Sequence, residues 1–283
     1  MKLGYLTLPT PDTIANARRL GFDSIEASAG WFPQPTLDET ERNLAAIRDA
    51  LQTNNIAVTS VALYGNTTAL PLDDVLDYFR RTMKLARNLG CGVVSAMTGR
   101  DNSLTIDENL PIFERYFTPI ARMAEDEGLR IAFEPWAGRV VGHGPYHRMN
   151  MATTPELWDR LFETVPSPAL GIEYDPSHLI WQGIDYLQAI RDYASRIYHV
   201  HAKDIVIDQA KLKRVGVHGA GWWRFVMPGL GVVDWPALFD ALKEVGYTGD
   251  MAVEHEDDEY MGDRWNEGLT LALKTLRPLM GDE

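Results

Sequence analysis

Short apolar runs alternate with longer amphipathic stretches eight times along the chain, and this alternation limits the fold more than any other feature. Dividing 283 residues by eight gives about 35 residues for each pair, which suits a strand followed by a helix. Strict alternation favours a parallel sheet, and eight units favour closure, because a closed barrel has no unpaired edge. We therefore predict an α/β fold, one (β/α)8 TIM barrel formed as a single domain by residues 1–283.

Apolar periodicity and helix-ending residues set the predicted boundaries. Thr10 and Pro11, for example, suit the start of the first helix and Gly21 its end. We predict strands at 2–7, 22–27, 57–64, 92–97, 129–134, 169–175, 197–203 and 251–256. We predict helices at 11–20, 37–53, 72–89, 106–127, 154–163, 184–193, 235–245 and 266–279. The long connections 136–152 and 205–234 are rich in Trp, His and Arg, which indicates lids over a site.

Composition excludes several classes of function. The net charge of −13 would repel a phosphate backbone, so we do not expect a nucleic acid partner. The single cysteine, Cys91, excludes an internal disulfide and fits a reducing compartment. The chain enters a strand pattern without a signal segment, and no apolar run reaches the roughly eighteen residues of a membrane span. We expect a cytoplasmic protein without membrane contact, and a homo-oligomer stays open.

Four predicted strands end in a side chain that can bind a metal ion. The sixth strand stops at Pro176, because proline cannot donate a ladder hydrogen bond, and Asp175 then points over the end of the sheet. Glu134, His201 and Glu254 hold the matching positions on the fifth, seventh and eighth strands. The apolar neighbours of each residue belong on the helix side, so strand parity directs these four side chains toward the barrel axis.

Strands five to eight are neighbours in a barrel, and the carboxyl ends of its strands share one mouth. Three carboxylates and one imidazole suit Mn²⁺ best, with Mg²⁺ or Co²⁺ as alternatives. Without a cation, carboxylates so close together would repel one another. We predict one divalent metal ion per chain, bound by Glu134, Asp175, His201 and Glu254. The alternative for each acid is a structural pairing with Lys or Arg, and His199, which lies deeper, is better explained as a core histidine.

Four motifs in the second half of the chain resemble the xylose-isomerase-like (β/α)8 superfamily, often described as sugar phosphate isomerases and epimerases. They are Ala132-Phe133-Glu134, Tyr174-Asp175-Pro176-Ser177-His178-Leu179, His199-Val200-His201-Ala202-Lys203-Asp204 and Val253-Glu254-His255-Glu256-Asp257. The resemblance covers the whole chain as architecture. It indicates the superfamily more firmly than it indicates the reaction.

The ketose 3-epimerase branch implies roles for particular residues. Its metal ligands match Glu134, Asp175, His201 and Glu254 here. The resemblance further implies that the two glutamates act as acid and base on opposite faces of the substrate. The histidine three residues after the aspartate, His178, is expected to bind a substrate oxygen. An arginine after the seventh strand is expected to contact substrate, and Arg214 and Arg224 are both candidates.

The chain also departs from the branches of this superfamily. The endonuclease branch holds three zinc ions with extra histidines, whereas the second, third and fourth strands here end near Glu26, Tyr64 and Met97. This argues against a trinuclear site. The long loop containing Trp222 and Trp223 is unlike the short epimerase loop and suggests a larger pocket. We interpret 257–259, which are all acidic, as a solvated loop.

The leading hypothesis is a metal-dependent isomerase or epimerase of a sugar, keto-sugar or related polyol. The ion would stabilise an enediolate, and Glu134 and Glu254 would take and return the proton. Lys203 is a candidate substrate contact, with a rim charge or a counter-ion to Asp175 or Glu173 as its alternatives. Stacking on sugar C–H faces is open to five tryptophans, of which Trp136 is the first candidate: Trp31, Trp136, Trp181, Trp222 and Trp223.

The main alternative is a metal-dependent lyase on the same site. The same intermediate can expel a β-hydroxyl or a β-linked sugar, as in a keto-inositol dehydratase or a 3-keto-glycoside deglycosylating enzyme. A non-catalytic binding protein and a nuclease are less favoured. His143 and His147 in the long fifth loop are candidates to reach the pocket, with a surface position as their alternative.

Overall fold

The computed structural model describes residues 1–32, 34–138 and 149–281. Eight parallel strands close into a barrel in chain order, and its first strand pairs with both the second and the last. The barrel strands are β1 Leu3–Thr7, β2 Ser24–Trp31, β4 Ala57–Tyr64, β5 Val93–Ala96, β6 Arg130–Phe133, β7 Leu170–Tyr174, β8 Ile197–Ala202 and β11 Met251–Val253. The remaining strands are β3 Gln34–Pro35, β9 Asp204–Ile207 and β10 Trp223–Val226. The TIM barrel fold is confirmed.

Helices follow the barrel strands and cover them from outside. They are α1 Pro11–Leu20, α2 Leu37–Arg42, α3 Leu44–Asn54, α4 Leu72–Asn88, α5 Ile106–Glu127, α6 Pro155–Thr164, α7 Pro176–Ile180, α8 Tyr186–Asp192, α9 Gln209–Val215, α10 Trp235–Glu244 and α11 Trp265–Leu276. Thr10 caps the start of α1, and Gly21 ends it with a φ of +96°. The left-handed backbone conformation at this position has little energetic cost for glycine, because glycine has no Cβ. Within the described residues, no helix is long and apolar enough to cross a membrane.

Apolar packing lies mainly between the strands and the helices. Phe133 of β6, for example, meets Phe113 and Phe117 of α5 edge to face, with ring centroids 6.0 and 5.0 Å apart. The strand parity expected for β6 is therefore confirmed: Phe133 faces the helices and its neighbours in sequence face the axis. The axis itself is polar, because the fully buried Ser60 and Ser95 lie inside the barrel, 2.5 Å apart at their hydroxyl oxygens.

Two segments differ from the predicted pattern. The helix expected at 37–53 is two helices that meet at Asn43, which serves as the end of α2 and the start of α3. The connection 205–234 is not a plain loop, because β9 and β10 pair antiparallel and α9 lies between them. Two short apolar runs separated by a helix form this hairpin, and their pairing depends on tertiary contacts that local periodicity does not report.

The carboxylate of Asp204 holds the β9–β10 segment against the barrel. Its Oδ1 accepts hydrogen bonds from the backbone N–H groups of Ile205 and Val233, at 2.8 and 3.0 Å. Its Oδ2 accepts from the Gly229 N–H and the Trp235 indole, both at 3.0 Å. This fully buried side chain therefore joins the two ends of the connection 205–234 and places β10 beside the mouth of the barrel.

Candidate metal centre

Asp175 presents one carboxylate oxygen to the barrel mouth and uses the other to start a helix. Its Oδ1 accepts hydrogen bonds from the Ser177 N–H at 2.8 Å and from the Ser177 hydroxyl at 2.7 Å, which caps α7. Pro176 is the first residue of that helix, where its missing N–H costs nothing. The buried Oδ2 has no hydrogen bond and lies 3.2 Å from Lys203 Nζ. One oxygen is therefore fixed and the other is available.

Glu134 follows β6 directly and is held by its backbone. Its N–H donates to the Ala96 carbonyl at 3.0 Å, and its carbonyl accepts from the Asn150 side-chain amide at 2.7 Å. The side chain is 1% exposed, and Oε1 has no hydrogen bond. That oxygen lies 3.4 Å from His178 Nε2. The glutamate thus also offers a buried, unpaired oxygen to the mouth.

Glu254 follows β11 and faces the side chains at the end of β8. Its Oε2 lies 3.1 Å from His201 Nδ1 and 2.5 Å from Lys203 Nζ. Ligand atoms of Glu134, Asp175, His178 and Glu254 all lie within 4.8 Å of one another. We call these four residues the mouth cluster. Three of the four predicted ligands therefore meet, together with the predicted substrate contact His178.

His201 joins the mouth cluster to a deeper group of polar side chains. Its Nε2 lies 2.8 Å from Glu26 Oε2, while Nδ1 faces Glu254. The deeper group, which we call the inner cluster, also has ligand atoms within 4.8 Å of one another and consists of Glu26, Glu173, His199 and His201. The strand-end position predicted for His201 places it at the border between the two clusters.

The residues fit a divalent cation. Glu134 Oε1 is buried and has no hydrogen bond. Asp175 Oδ2 and His201 Nδ1 are also buried and face single charged neighbours, Lys203 at 3.2 Å and Glu254 at 3.1 Å. A buried polar atom without a hydrogen bond costs about 1–3 kcal/mol, and a cation would supply a partner for Glu134. Two carboxylate oxygens and an imidazole nitrogen, with the adjacent Glu254, form an oxygen-rich set that suits Mn²⁺, Mg²⁺ or Co²⁺.

Lys203 provides positive charge inside the mouth cluster. Its fully buried Nζ lies 3.2 Å from Asp175, 2.5 Å from Glu254 and 3.1 Å from Glu256. Burial alone would lower the pKa of Lys203, but the charges of these carboxylates, Asp175 first, hold that pKa well above its usual range. Lys203 is therefore an ammonium ion that acts as a counter-ion to Asp175. Its contact with substrate stays a prediction.

The two glutamates at the mouth differ in protonation. Burial and the charge of Glu254 hold the pKa of Glu134 well above its usual range. Burial acts in the same direction on Glu254, but Lys203 and His201 outweigh it and hold the pKa of Glu254 well below its usual range. Without a bound cation, the site thus contains one carboxylic acid and one carboxylate.

The two histidines at the mouth also differ in charge. Burial, together with the charge of Lys203, lowers the pKa of His178 to about 3, so this imidazole is neutral. Burial acts in the same direction on His201, but the surrounding carboxylates, Glu173 first, hold the pKa of His201 well above its usual range. The charge of His201 in turn opposes the effect of burial on Glu26 and lowers the pKa of that carboxyl to about 2.

An aromatic wall formed by β10 and α7 adjoins the cluster. The Phe225 ring lies edge to face with His178 at 5.2 Å and beneath Lys203 Nζ at 4.4 Å. Trp223 contacts Phe225 at 4.9 Å and stacks on Trp181 at 5.2 Å with planes 13° apart. Trp222 is buried behind them. The β9–β10 segment thus places the predicted tryptophans beside the mouth.

On the other side of the barrel, two further tryptophans pack against Tyr64. Trp31 lies 5.5 Å from the Tyr64 ring and is 47% exposed. Trp136 is half-buried and packs against the small group of Ala62, Tyr64 and Met97. Trp136 and Trp31 therefore lie near strand ends, and their stacking on a substrate stays a prediction.

The two candidate arginines differ in their surroundings. Arg224 pairs with Asp257 at 3.3 Å and with Glu259 at 2.6 Å. Arg214 lies exposed in the last turn of α9. The interpretation of 257–259 as solvated is wrong for Asp257, which is 1% exposed because its carboxylate also accepts from the Met227 N–H at 3.0 Å. His143 and His147 lie outside the described residues.

Sequence reasoning assigned no role to Glu26 or Glu173, which the structure places in the inner cluster. Glu173 accepts hydrogen bonds from the hydroxyls of Tyr64 and Ser95 at 2.6 and 2.5 Å, and lies 2.9 Å from His199 Nδ1. The parity of β2 was the available signal for Glu26, since a glutamate between apolar residues in a barrel strand faces the axis. His199 is a partnered core histidine, as expected.

A parallel eight-stranded barrel with acids and histidines at its carboxyl-terminal mouth defines an α/β barrel protein of the kind that supports catalysis there. The chain belongs to the xylose isomerase-like TIM barrel family, whose sequence model matches residues 14–279. It is 28% identical to the uncharacterized protein YfiH of Bacillus subtilis, over 91% of this chain and 93% of that protein. It is 27% identical to the inosose dehydratase of Geobacillus thermodenitrificans, over 82% of this chain and 80% of that enzyme.

Solved structures share the fold. A D-psicose 3-epimerase crystallised with D-fructose superposes with a TM-score of 0.73 at 19% identity, covering all of both chains. The IOLI protein, which was solved with a bound zinc atom, superposes with a TM-score of 0.74 at 20% identity, covering 99% of this chain and 98% of that one. Dehydratases are thus among the sequence relatives of this chain, and an epimerase shares its fold.

Proposed function

We propose that the chain is a divalent-metal-dependent enzyme that transfers a proton at the carbon beside the carbonyl of a sugar, keto-sugar or related polyol. The observation that carries the proposal is geometric: two buried glutamates that follow different strands, Glu134 and Glu254, meet in one cluster whose ligand atoms all lie within 4.8 Å of one another. A general acid and a general base in one pocket are what proton abstraction and return require. The fit of the unpaired oxygens to a cation supports the metal requirement.

The proposed metal ligands are Glu134, Asp175, His201 and Glu254. A metal ion bound there supplies positive charge that polarises a substrate carbonyl and stabilises the negative charge that develops on its oxygen. Glu254, as a carboxylate, accepts the proton from carbon, and Glu134 returns one. His178 Nε2, on a neutral imidazole, lies 3.1 Å from Lys203 Nζ and would exchange this contact for a hydrogen bond from a substrate hydroxyl. The aromatic wall of Trp181, Trp223 and Phe225 excludes water and stacks on the C–H face of the substrate.

Isomerisation or epimerisation is the first candidate outcome. Two glutamates from different strands allow a proton to leave one face of the substrate and to return to the same or the other face. The fold shared with D-psicose 3-epimerase is compatible with this outcome.

Elimination is the second candidate, and the relatives among the dehydratases favour it. A leaving hydroxyl needs a proton donor, and Glu134, whose pKa is raised by burial and by Glu254 in the metal-free site, is the candidate. The similarity to inosose dehydratase over 82% of the chain points the same way. The substrate would then be a keto-inositol or a 3-keto-glycoside.

Product mass after reaction in D₂O separates these outcomes. The metal-stripped protein is reloaded with Mn²⁺, Co²⁺ or Mg²⁺ and incubated with free ketoses, keto-inositols and 3-keto-glycosides. Isomerisation or epimerisation incorporates deuterium without loss of atoms, whereas elimination loses water or the aglycone. Glu254→Gln should abolish both reactions, and Glu163→Gln, a change at an exposed glutamate of α6, should abolish neither. Tight metal binding without exchange of substrate hydrogen across the panel would contradict the proposal.

A further inference from the structure

The two nitrogens of the His201 ring face different surroundings. Nε2 points into the barrel, where Glu26 Oε2 lies 2.8 Å away, Glu173 Oε1 3.3 Å and the Tyr64 hydroxyl 3.5 Å. Nδ1 points to the mouth and lies 3.1 Å from Glu254 Oε2, which is itself a predicted metal ligand. An imidazole binds a metal through a nitrogen without a proton, and its other N–H commonly donates to a carboxylate that orients the ring.

Of the two acids beside Nε2, Glu26 is the one suited to accept its proton. Glu173 is already surrounded by donors, since Tyr64, Ser95 and His199 all lie within 2.9 Å of its carboxyl oxygens. Glu26 is fully buried, and its Oε2 is closer to His201 Nε2 than to His199 Nδ1, which is 3.8 Å away. The Tyr64 hydroxyl lies 3.3 Å from Glu26 Oε1, but its single proton is directed to Glu173 at 2.6 Å, so His201 Nε2 at 2.8 Å is the nearest donor to Glu26.

We propose that Glu26 is a positioning residue for the metal centre, a role that rests on the proposed function. Glu26 accepts the Nε2–H of His201, fixes the plane of the ring and leaves Nδ1 as the nitrogen that binds the ion. The β2 strand thereby supports the centre from across the barrel axis, although none of its residues belongs to the mouth cluster. A carboxylate in this position also makes the His201 imidazole a stronger electron-pair donor.

Zinc serves as the probe, because it is diamagnetic and suits nitrogen NMR of histidine. In the wild-type protein loaded with Zn²⁺, ¹⁵N spectra should show His201 with a proton on Nε2 and the metal on Nδ1. The Zn²⁺ Kd, measured by competition with a chelator, should rise about 10–100-fold in Glu26→Gln. Thr59→Val is the matched control, because it removes a partner of His199 at 3.1 Å in the same buried layer but does not contact His201. Its Zn²⁺ Kd should not change.

Each result decides the inference. Zn²⁺ bound through Nε2 of wild-type His201 would overturn it while leaving the proposed metal centre intact, and this measurement needs no variant. An unchanged Zn²⁺ Kd in a folded Glu26→Gln protein would also overturn it. If Glu26→Gln does not fold, the wild-type spectrum decides alone. A wild-type protein that binds no Zn²⁺ at the mouth would remove the proposed metal centre and this inference together.

Discussion

Asp175 shows how a single residue can serve the fold and the site at once. Its Oδ1 accepts two hydrogen bonds from Ser177, and these fix the carboxylate so that Oδ2 faces the mouth cluster, 3.2 Å from Lys203 Nζ. The side chain therefore loses little conformational freedom when it binds an ion. Prearranged ligands of this kind raise affinity because the ordering cost has been met during folding.

Replacement of Asp175 by asparagine should separate its two roles. The amide oxygen can still cap α7, because asparagine is as good an N-cap as aspartate. The charge that faces both Lys203 and the cation is lost, so we expect a lower melting temperature without metal, because a buried ion pair is broken, and a Mn²⁺ Kd raised at least about 10-fold. The matched control is Asp185→Asn at the N-cap of α8, where the side chain accepts from Leu187 and Gln188 away from the mouth. Equal Mn²⁺ affinity in the two variants would contradict the role of Asp175.

Lys203→Met tests the balance of charge at the mouth. Without metal, removal of the ammonium leaves Asp175 and Glu254 without their nearest counter-ion, which should cost about 3–5 kcal/mol of unfolding free energy. Added Mn²⁺ should recover part of this loss and should stabilise the variant more than the wild type, because it replaces the missing positive charge. Chemical denaturation with and without Mn²⁺ measures both effects.

Lys243→Met is the control for the Lys203 variant, because this lysine is exposed in the last turn of α10. It should lower stability little and should not alter the response to Mn²⁺. A metal-free Lys203→Met protein as stable as the wild type would refute the counter-ion role.

At the scale of elements, regular segments were predictable and tertiary pairings were not. The α5 helix has the expected bounds, 106–127, because its Thr105 cap and terminal Gly128 are local signals. The β7 strand ends before Asp175 as Pro176 requires. The β9–β10 hairpin was missed, since it depends on the burial of Asp204 beneath a returning chain. Local sequence shows the acid but not the four donors that converge on it.

Asp204→Asn should therefore destabilise the fold without touching the mouth cluster. The amide nitrogen would face the N–H groups of Gly229 and Trp235, so that the buried indole and the part-buried Gly229 N–H both lose their acceptor. We expect a loss of about 2–3 kcal/mol in unfolding free energy, measured by urea denaturation. Asp208→Asn, at the exposed cap of α9, is the control and should cost far less. Equal losses would show that Asp204 does not hold this segment.

The whole molecule places its acidic excess partly inside the barrel. The sequence has 40 acidic and 27 basic residues, and buried carboxylates from β2, β6, β7 and β11 or the residues that follow them line the axis. Those carboxylates are Glu26, Glu134, Glu173, Asp175 and Glu254. Without counter-ions these buried carboxylates would destabilise the fold. Lys203 and His201 supply positive charge along the axis. The carboxylate oxygens at the mouth, Glu134 Oε1 and Asp175 Oδ2, remain suited to a further cation.

The sequence predicted which side chains lie at the mouth of the barrel, but not which side chains meet deeper along its axis. Strand parity sufficed to direct Glu134, Asp175 and Glu254 to one place, because each lies at a strand end. The contact between Glu26 and His201 spans 175 residues of sequence, and neither periodicity nor spacing reports which two inward side chains meet. The same limit applied to Lys203, whose inward direction was predictable but whose central place among the carboxylates was not.

A crystal structure of the protein saturated with Mn²⁺, with anomalous scattering used to locate the ion, tests the central claim most directly. We predict one peak per chain within about 2–2.6 Å of oxygens of Glu134, Asp175 and Glu254 and of Nδ1 of His201. A peak elsewhere, or no peak while Lys203 still occupies the centre of the carboxylates, would contradict it.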